Sequence, residues 1–394
     1  MLLAHHVQLR PTDEQVQFLF QSVGVRRFTY NALLAHFKQE GVKWSKQSAI
    51  DKLKELKLQY PWMADVSART SRNVIDDLES AFKRFFANVK AGKKPGFPRF
   101  KKRGTSDSFS VREKEKFDVV GKSLRIEKLK TRIKMRQSPR LNGIAKQCTV
   151  SFRGGRWFVS ILVDCIESPW KPIDNTTREP SVGVDIGIKS LAVLSNGTEI
   201  PASTPLKRKL KKLKKLQRKM SRQQKGSNRK ERTKRKIQKL HFYVVEKRKA
   251  VLHELTDNLT RNYDRIVIED LNVRGMVKNH KLARAISDVG FGEFRRQLEY
   301  KAFFRGCELV VADRFFPSSK MCSGCGQIHD MPLSKRVMEC DCGTVLDRDH
   351  NAAINLQRYF PTRLSGKQKC TQENCKTTSN GGKFVDGVNK ANAT

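Results

Sequence analysis

Acidic residues are scarce in this chain, and long apolar runs are missing altogether. Across 394 residues there are 39 Asp and Glu against 80 Lys and Arg, a formal charge of +41. That excess points to a polyanionic partner, with nucleic acid the leading class. Ribosomal and chromatin proteins share the signature, so charge defines a partner class and no reaction. No apolar run approaches the ~18 residues of a membrane span. The N-terminal MLLAHHVQLRPTDEQ also lacks the charged-then-apolar order of a secretory signal. The expectation is a soluble, cytoplasmic protein bound to nucleic acid, with no membrane partner. An even cysteine framework is lacking too. Of nine cysteines, four cluster as Cys322, Cys325, Cys340 and Cys342, which suits a reduced compartment and a metal site better than disulfides. No internal repeat is evident.

The length allows two or three domains, and 38% hydrophobic residues can build their cores. The first hundred residues read as mainly helical. Thr12 with Gln15 makes a capping-box pattern ahead of Val16, Leu19, Phe20 and Val23. Val74, Leu78, Phe82, Phe85 and Val89 recur at helical spacing, predicting a helix over about 72–90. A loop, AGKKPGFPRFKKRG, follows at 91–104. Residues 105–165 turn to short strands, with QCTVSF and RWFVSILVD joined across Gly154-Gly155 as a hairpin. Residues 166–180, with three prolines, read as a linker. From 181 the pattern is strand–strand, a long helical stretch, then a strand at Arg265–Glu269, a helix over 292–305 and a strand at Glu308–Ala312. The stretch 207–239 has Glu231 as its only acid, and the break at Gly226-Ser227-Asn228 suggests two antiparallel basic helices.

Three carboxylates stand out against this background. Asp185 interrupts an apolar strand in SVGVDIGIKSLAVLS, Glu269 ends IVI in DRIVIEDLNV, and Asp349 opens a helical segment in DRDHNAAINL. Two-metal phosphodiester hydrolysis needs acidic ligands around Mg²⁺ ions ~3.5–4 Å apart, and Mg²⁺ prefers carboxylate and water oxygens. Each residue also has a plainer role available. Asp185 can cap a turn, Glu269 can pair with an arginine, and Asp347 and Asp349 can both cap a helix. Their order along a strand–strand–helix–strand layout is what suggests an RNase H-like nuclease. Thiolates suit tetrahedral Zn²⁺, and Cys322-x2-Cys325 is half of such a site. The other half, Cys340-x-Cys342, is one residue short of the usual knuckle, with His329 an alternative fourth ligand. Cys148, Cys165 and Cys307 read as buried small hydrophobes; Cys370 and Cys375 carry no assignment.

The stretches GVRRFTYN, GFPRFKKRG, GVDIGIKSLAVLS, IVIEDLNVRGM, GFGEFRRQLEYKA and FFPSSKMCSGCG through DRDHNAAINL resemble the TnpB family. These are OrfB-type proteins of insertion sequences, related to the type V CRISPR effectors. The resemblance covers residues 1–360. It implies an α+β multidomain fold, with a wedge-like β-barrel from 1–10 and 105–180 and a helical recognition lobe over 11–104. A RuvC nuclease domain would occupy 181–315 and 346–360, a zinc ribbon 316–345, and a disordered tail 361–394. It implies a catalytic triad of Asp185, Glu269 and Asp349 holding two Mg²⁺, with Asp349 preferred over Asp347 and Asp270 a structural neighbour. It implies one structural Zn²⁺ on Cys322, Cys325, Cys340 and Cys342. The activity implied is RNA-guided cutting of double-stranded DNA, with a guide RNA from the element's own end and a short motif beside the target. Monomer or dimer is left open.

Candidate nucleic-acid contacts follow from charge with interleaved aromatics. They are Arg26, Arg27, Tyr30 and Asn31 on a predicted helix, and Arg99, Lys101, Lys102 and Arg103 in the GFPRFKKRG loop. Lys211, Lys212, Lys214 and Lys215 on the first basic helix complete the set. Phe97 and Phe100 either stack on bases or fill core, and Phe28 reads as core. Many lysines in a charge run are simply solvated, but adjacent helices this basic repel unless a polyanion neutralises them. A guided binder that has lost cleavage, a transposase proper and a simple RNA-binding protein are the competing functions. The first would lose triad acids, the second needs a tyrosine nucleophile with paired histidines, and the third leaves three acids without a role.

Overall fold

The computed structural model describes residues 1–104, 107–166, 177–332 and 334–361. Most of the expected linker, the expected disordered tail from 362, and with it Cys370 and Cys375, lie outside the described residues. Pro180, assigned to the linker from sequence, belongs to a strand instead.

Among the described residues, the N-terminal half builds one antiparallel sheet and three α-helices. Its strands are β1 (Leu2–Arg10), β2 (Ser108–Val111), β3 (Phe117–Val120), β4 (Ser123–Ile126), β5 (Ile133–Met135), β6 (Gly143–Arg153) and β7 (Arg156–Cys165). They lie in the order β2-β6-β7-β1-β5-β4-β3. The β6–β7 hairpin closes with Arg153 opposite Arg156, and Gly154 and Gly155 both take positive φ, as a two-residue hairpin of this twist requires. All seven strands contribute to one core, including Val7, Phe109, Phe117, Ile126, Met135, Val150 and Trp157. The helices are α1 (Asp13–His36), α2 (Lys46–Gln59) and α3 (Ala68–Lys90). The Thr12–Gln15 capping box is formed at the start of α1. Leu19 and Val23 of α1 face the sheet core, while Val25, Leu33 and Leu34 face α2 and α3 with Leu53, Val74, Leu78 and Phe82. One helix thus ties the two layers together. The apolar stripe on α3 ends sooner than the spacing suggests, because Val89 is exposed.

The C-terminal half is built on a mixed sheet of β8 (Glu179–Asp185), β9 (Ser190–Leu194), β10 (Glu199–Pro201), β11 (Tyr263–Glu269) and β12 (Glu308–Ala312), in the order β10-β9-β8-β11-β12. β8, β9 and β10 are antiparallel neighbours, whereas β8, β11 and β12 run parallel. Parallel neighbours need helical crossovers. The first is α4 (Pro205–Ser221) with α5 (Asn228–Asn262); the second is α6 (Val273–Met276), α7 (Ala283–Val289) and α8 (Phe291–Arg305). Val182, Val184, Ile266 and Ile268 pack on Leu252, Leu255, Leu259, Phe294 and Leu298 of α5 and α8. The opposite face carries Val267, Val310 and Ala312, covered by Leu356 of α9 (Arg348–Gln357). Burial on both faces explains the near-continuous apolar runs of β8 and β11. Between β12 and α9 lies the hairpin β13 (Val337–Glu339) and β14 (Val345–Asp347). Among the described residues no helix is long and apolar enough to cross a membrane.

Candidate metal centres and nucleic-acid faces

The parallel register pairs Val184 with Ile268, so the next residues, Asp185 and Glu269, stand side by side at the carboxyl ends of the two central strands. Asp349 reaches them from α9. That helix seats directly on β8 because Gly183 has no side chain. A Cβ there would meet the Ala353 carbonyl oxygen and the Gln357 amide well inside the 3.0 Å that real Cβ atoms keep. Asp347 is the N-cap of α9, accepting from the Asp349 amide at 2.9 Å and the His350 amide at 3.3 Å. Capping therefore occupies Asp347 and leaves the Asp349 carboxylate free of that role. The Asp185 carboxyl is pushed well above the usual carboxylate range, first by burial and then by Glu269 and Asp349; Arg348 opposes this. Like charges so coupled can be satisfied by a shared cation.

Glu269 accepts a hydrogen bond from Ser318 Oγ. The arginine-paired acid is its neighbour: Asp270 binds Arg295 at 2.7 Å and also Arg314. Burial alone would raise the Asp270 carboxyl, but the two guanidiniums hold it below the ordinary value. A cavity of about 60 Å³ opens here, lined by Glu269, Asp270, Leu271, Ala312, Asp313, Arg314 and Phe316.

The four cysteines converge despite the short second half. Their Sγ atoms all lie within 4.8 Å of one another, the one such cluster of possible ligands among the described residues. Cys322 lies 3.6 Å from Cys342 and Cys325 lies 3.5 Å from Cys340. Tetrahedral Zn–S bonds of ~2.3 Å place sulfurs ~3.8 Å apart, so the donor set fits zinc. Each knuckle is a tight turn: the Gly326 amide donates to the Cys322 carbonyl and the Gly343 amide to that of Cys340, both at 2.9 Å. The Cys342 thiol is pulled down by the Thr344 hydroxyl and amide. His329 Nε2 lies 3.2 Å from Cys340 Sγ, beside the cluster as a hydrogen-bond partner of one ligand.

Residues that sequence reasoning missed join the two centres. Asn351 accepts from the Ser323 amide at 2.9 Å and donates to the Met321 carbonyl at 2.8 Å. Asn355 donates to the carbonyls of Ser318 and Met321 at 2.8 and 2.6 Å. Arg348 holds the Pro332 carbonyl at 2.8 Å. Two buried asparagines four apart on a helix were the available signal, since buried amides need partners.

The basic candidates divide. Arg26 pairs with Asp77 at 2.6 Å and donates to the Ser108 carbonyl at 2.9 Å. Asn31 exchanges two hydrogen bonds with the Lys101 backbone, at 2.8 and 3.0 Å, and Lys101 Nζ sits 4.1 Å above the Tyr30 ring. Burial, then Arg26, brings the Lys101 ammonium down to about 8. Arg27 pairs with Asp107 at 3.6 Å. These five side chains fasten the 91–104 loop and the sheet to α1. Arg99, Lys102 and Arg103 are exposed, as are Lys211, Lys212, Lys214 and Lys215. Lys211, Lys214, Lys215, Arg218 and Lys219 of α4, with Arg222 just past its end, line one shallow groove, while Leu213 turns inward. Phe97 packs edge-on against Phe82 and Phe85, Phe100 lies under Lys38, and Phe28 packs against Tyr60 and Trp62.

A mixed sheet with paired acids at its carboxyl ends, a cluster of four thiols and a strongly basic helical face together mark an α+β protein with a candidate metal site. The chain belongs to the TnpB family. Its residues 163–280 match the OrfB family model described as a probable transposase, and 291–356 match the Cas12f1-like TNB domain. Residues 1–40 match a helix-turn-helix model; in this structure that stretch is β1 followed by the single long helix α1. A Streptomyces pristinaespiralis protein provisionally named an RNA-guided DNA endonuclease is 37% identical over 88% of this chain and 86% of its own length. Escherichia coli K12 InsQ, provisionally named likewise, is 32% identical over 90% of this chain and 91% of its own. The fold resembles Cas12f1 in its complex with sgRNA and target DNA, with a TM-score of 0.52 at 16% identity over 87% of this chain and 83% of that one.

Proposed function

We propose that this chain is a TnpB-type RNA-guided endonuclease that cuts double-stranded DNA through a RuvC-type, RNase H-like centre. The observation that carries the reading is the meeting of Asp185 and Glu269 on adjacent parallel strands with Asp349 on the helix seated over Gly183. The sheet order, with two antiparallel strands beside three parallel ones, supports an RNase H-like assignment. The single core shared by β1–β7 supports a barrel-like wedge domain. Asp185, Glu269 and Asp349 would hold two Mg²⁺ ions. Bound there, the ions supply an activated water and charge stabilisation for the leaving oxygen of a phosphodiester.

The protein's own part is positioning. Parallel pairing sets two carboxylates in rigid register, Ser318 orients Glu269, and the Arg295–Asp270–Arg314 group braces the loop beside it. Cys322, Cys325, Cys340 and Cys342 would hold one Zn²⁺, which is structural because four thiolates leave no open ligand position. Asn351 and Asn355 lash that ribbon to the helix bearing Asp349. Exposed Arg99, Lys102 and Arg103 and the α4 groove would take phosphates of guide RNA and heteroduplex, recognised by shape and charge. The protein would also read the short motif beside the target.

The test is Asp185→Ala in protein purified with its RNA. It should abolish cutting of a matched target while leaving RNA and DNA binding in place; undiminished cutting sinks the assignment. Cutting should require Mg²⁺ or Mn²⁺ and stop in EDTA. Sequencing the copurified RNA should recover one structured species, and random cellular RNA would refute a dedicated guide.

A further inference from the structure

Phe315 is 88% exposed, and it has no ring contact among the described residues. A lone surface phenylalanine is ordinarily unremarkable; the backbone that carries this one is not. Its amide donates to Asp313 Oδ1 at 2.9 Å, and the Phe316 amide donates to the Asp313 carbonyl at 3.0 Å. Asp313 is itself fixed by a hydrogen bond from its amide to the Tyr359 hydroxyl. On one side Arg314 is tied to Asp270. On the other, Phe316 is packed edge-on against Tyr359 at 4.8 Å, and Ser318 donates to Glu269. The turn is therefore held at every neighbouring residue, and both ends of it touch the Glu269–Asp270 pair. A phenyl ring is presented to solvent on a stiff support, three residues before the serine that donates to a candidate metal carboxylate.

We propose that Phe315 is a substrate-positioning residue that stacks on an unpaired base of the DNA strand presented to Asp185, Glu269 and Asp349. The inference rests on the nuclease reading above and extends it to the hold on the strand. Every base offers a π-face, so an aromatic platform grips any sequence, which suits an enzyme whose sequence choice is made elsewhere by pairing. With its backbone already held, the ring has only two side-chain torsions to order when it stacks. Arg314 lies next to it with half its side chain exposed, a cation placed for the adjoining phosphate. DNA is favoured over guide RNA because the turn is braced against the acids that would receive the strand to be cut.

The test uses the whole protein with its guide RNA and targets carrying 2-aminopurine at successive positions around the cut. In the Asp185→Asn protein, one position near the scissile phosphate should be quenched by stacking. It should brighten severalfold in Asp185→Asn/Phe315→Ala. With Asp185 intact, Phe315→Ala should slow cutting by about 5- to 160-fold, the range of one lost base stack. Phe315→Trp should restore the rate, and RNA binding and zinc content should stay unchanged. Wild-type cutting by Phe315→Ala, or no DNA position that brightens, overturns the proposal. Quenching confined to 2-aminopurine placed in the guide RNA overturns it as well. Persistent cutting by Asp185→Asn would refute the acid assignment instead, while the fluorescence would still report on Phe315.

Discussion

Replacing Gly183 with alanine adds one methyl group and changes no acid, yet it should disable the candidate centre. The added Cβ would fall on the Ala353 carbonyl and the Gln357 amide, both backbone atoms of α9 that no rotamer change can move. The strand conformation at Gly183 is ordinary, so the whole cost is steric. The helix must retreat by about 1 Å, and it carries Asp349 with it; a 1 Å misplacement at a reacting centre can cost about 100-fold in rate. Overpacking of this kind costs about 1–3 kcal/mol, and the upper end is expected because the obstacle is rigid. Gly24→Ala on α1 is the control, since its Cβ meets nothing within 4 Å; it should stabilise by about 0.5–1 kcal/mol. The assay is cleavage of a matched target alongside thermal unfolding and guide-RNA binding. RNA binding should persist in both variants. If Gly183→Ala melts like the parent and cuts at the parent rate, α9 does not position Asp349, and the account of the site fails.

Three further outcomes follow from the same geometry. Asp185 is held above its unfolded-state range, so its ionisation penalises the fold: the penalty is absent below the unfolded pKa, grows as pH rises towards the folded pKa and is constant beyond. Asp185→Asn should thus melt higher than the parent near neutral pH, match it near pH 4, and lose most of the stabilisation that Mn²⁺ gives the parent; an unchanged melting difference across pH would contradict the coupling. Elemental analysis should find one zinc per chain, and because outer-shell changes alone cost about 10–100-fold in metal affinity, Cys342→Ser should cost more than that, whereas full retention would exclude the short half as a ligand pair. Replacing Lys211, Lys214 and Lys215 together by alanine should lower the salt slope of guide-RNA binding by about 2 (~0.7 per phosphate contact), and an unchanged slope would make the α4 groove a solvated face.

The candidate centres were legible because their signals are local. An aspartate inside a β-branched run, an acid at the end of IVI and a C-x2-C each announce themselves within ten residues. The hairpin at Gly154-Gly155 and the two basic helices were equally visible. The expectation of an apolar stripe running to Val89 went too far, since periodicity does not say where a helix's packing partner ends. Nor did the short C-x-C half prevent convergence, because two glycine-ended knuckle turns bring all four sulfurs together.

The roles of the charged residues were the least legible. Whether a cation is free or committed depends on which acid the fold brings to it, and Arg26 meets Asp77 from 51 residues away. So Arg26, Arg27, Tyr30, Asn31 and Lys101 became the fastening of a loop, while Arg99, Lys102 and Arg103, from the same charged loop, stayed exposed. By itself the sequence determined which groups can do chemistry: three isolated carboxylates in a strongly cationic chain, and four clustered thiols. Only the tertiary structure decided which of them meet. Parallel register set Asp185 beside Glu269, a missing side chain at Gly183 admitted the helix of Asp349, and two buried asparagines tied the thiol cluster to that helix. Each of these depends on contacts between residues far apart in the chain, which no local pattern of residues records.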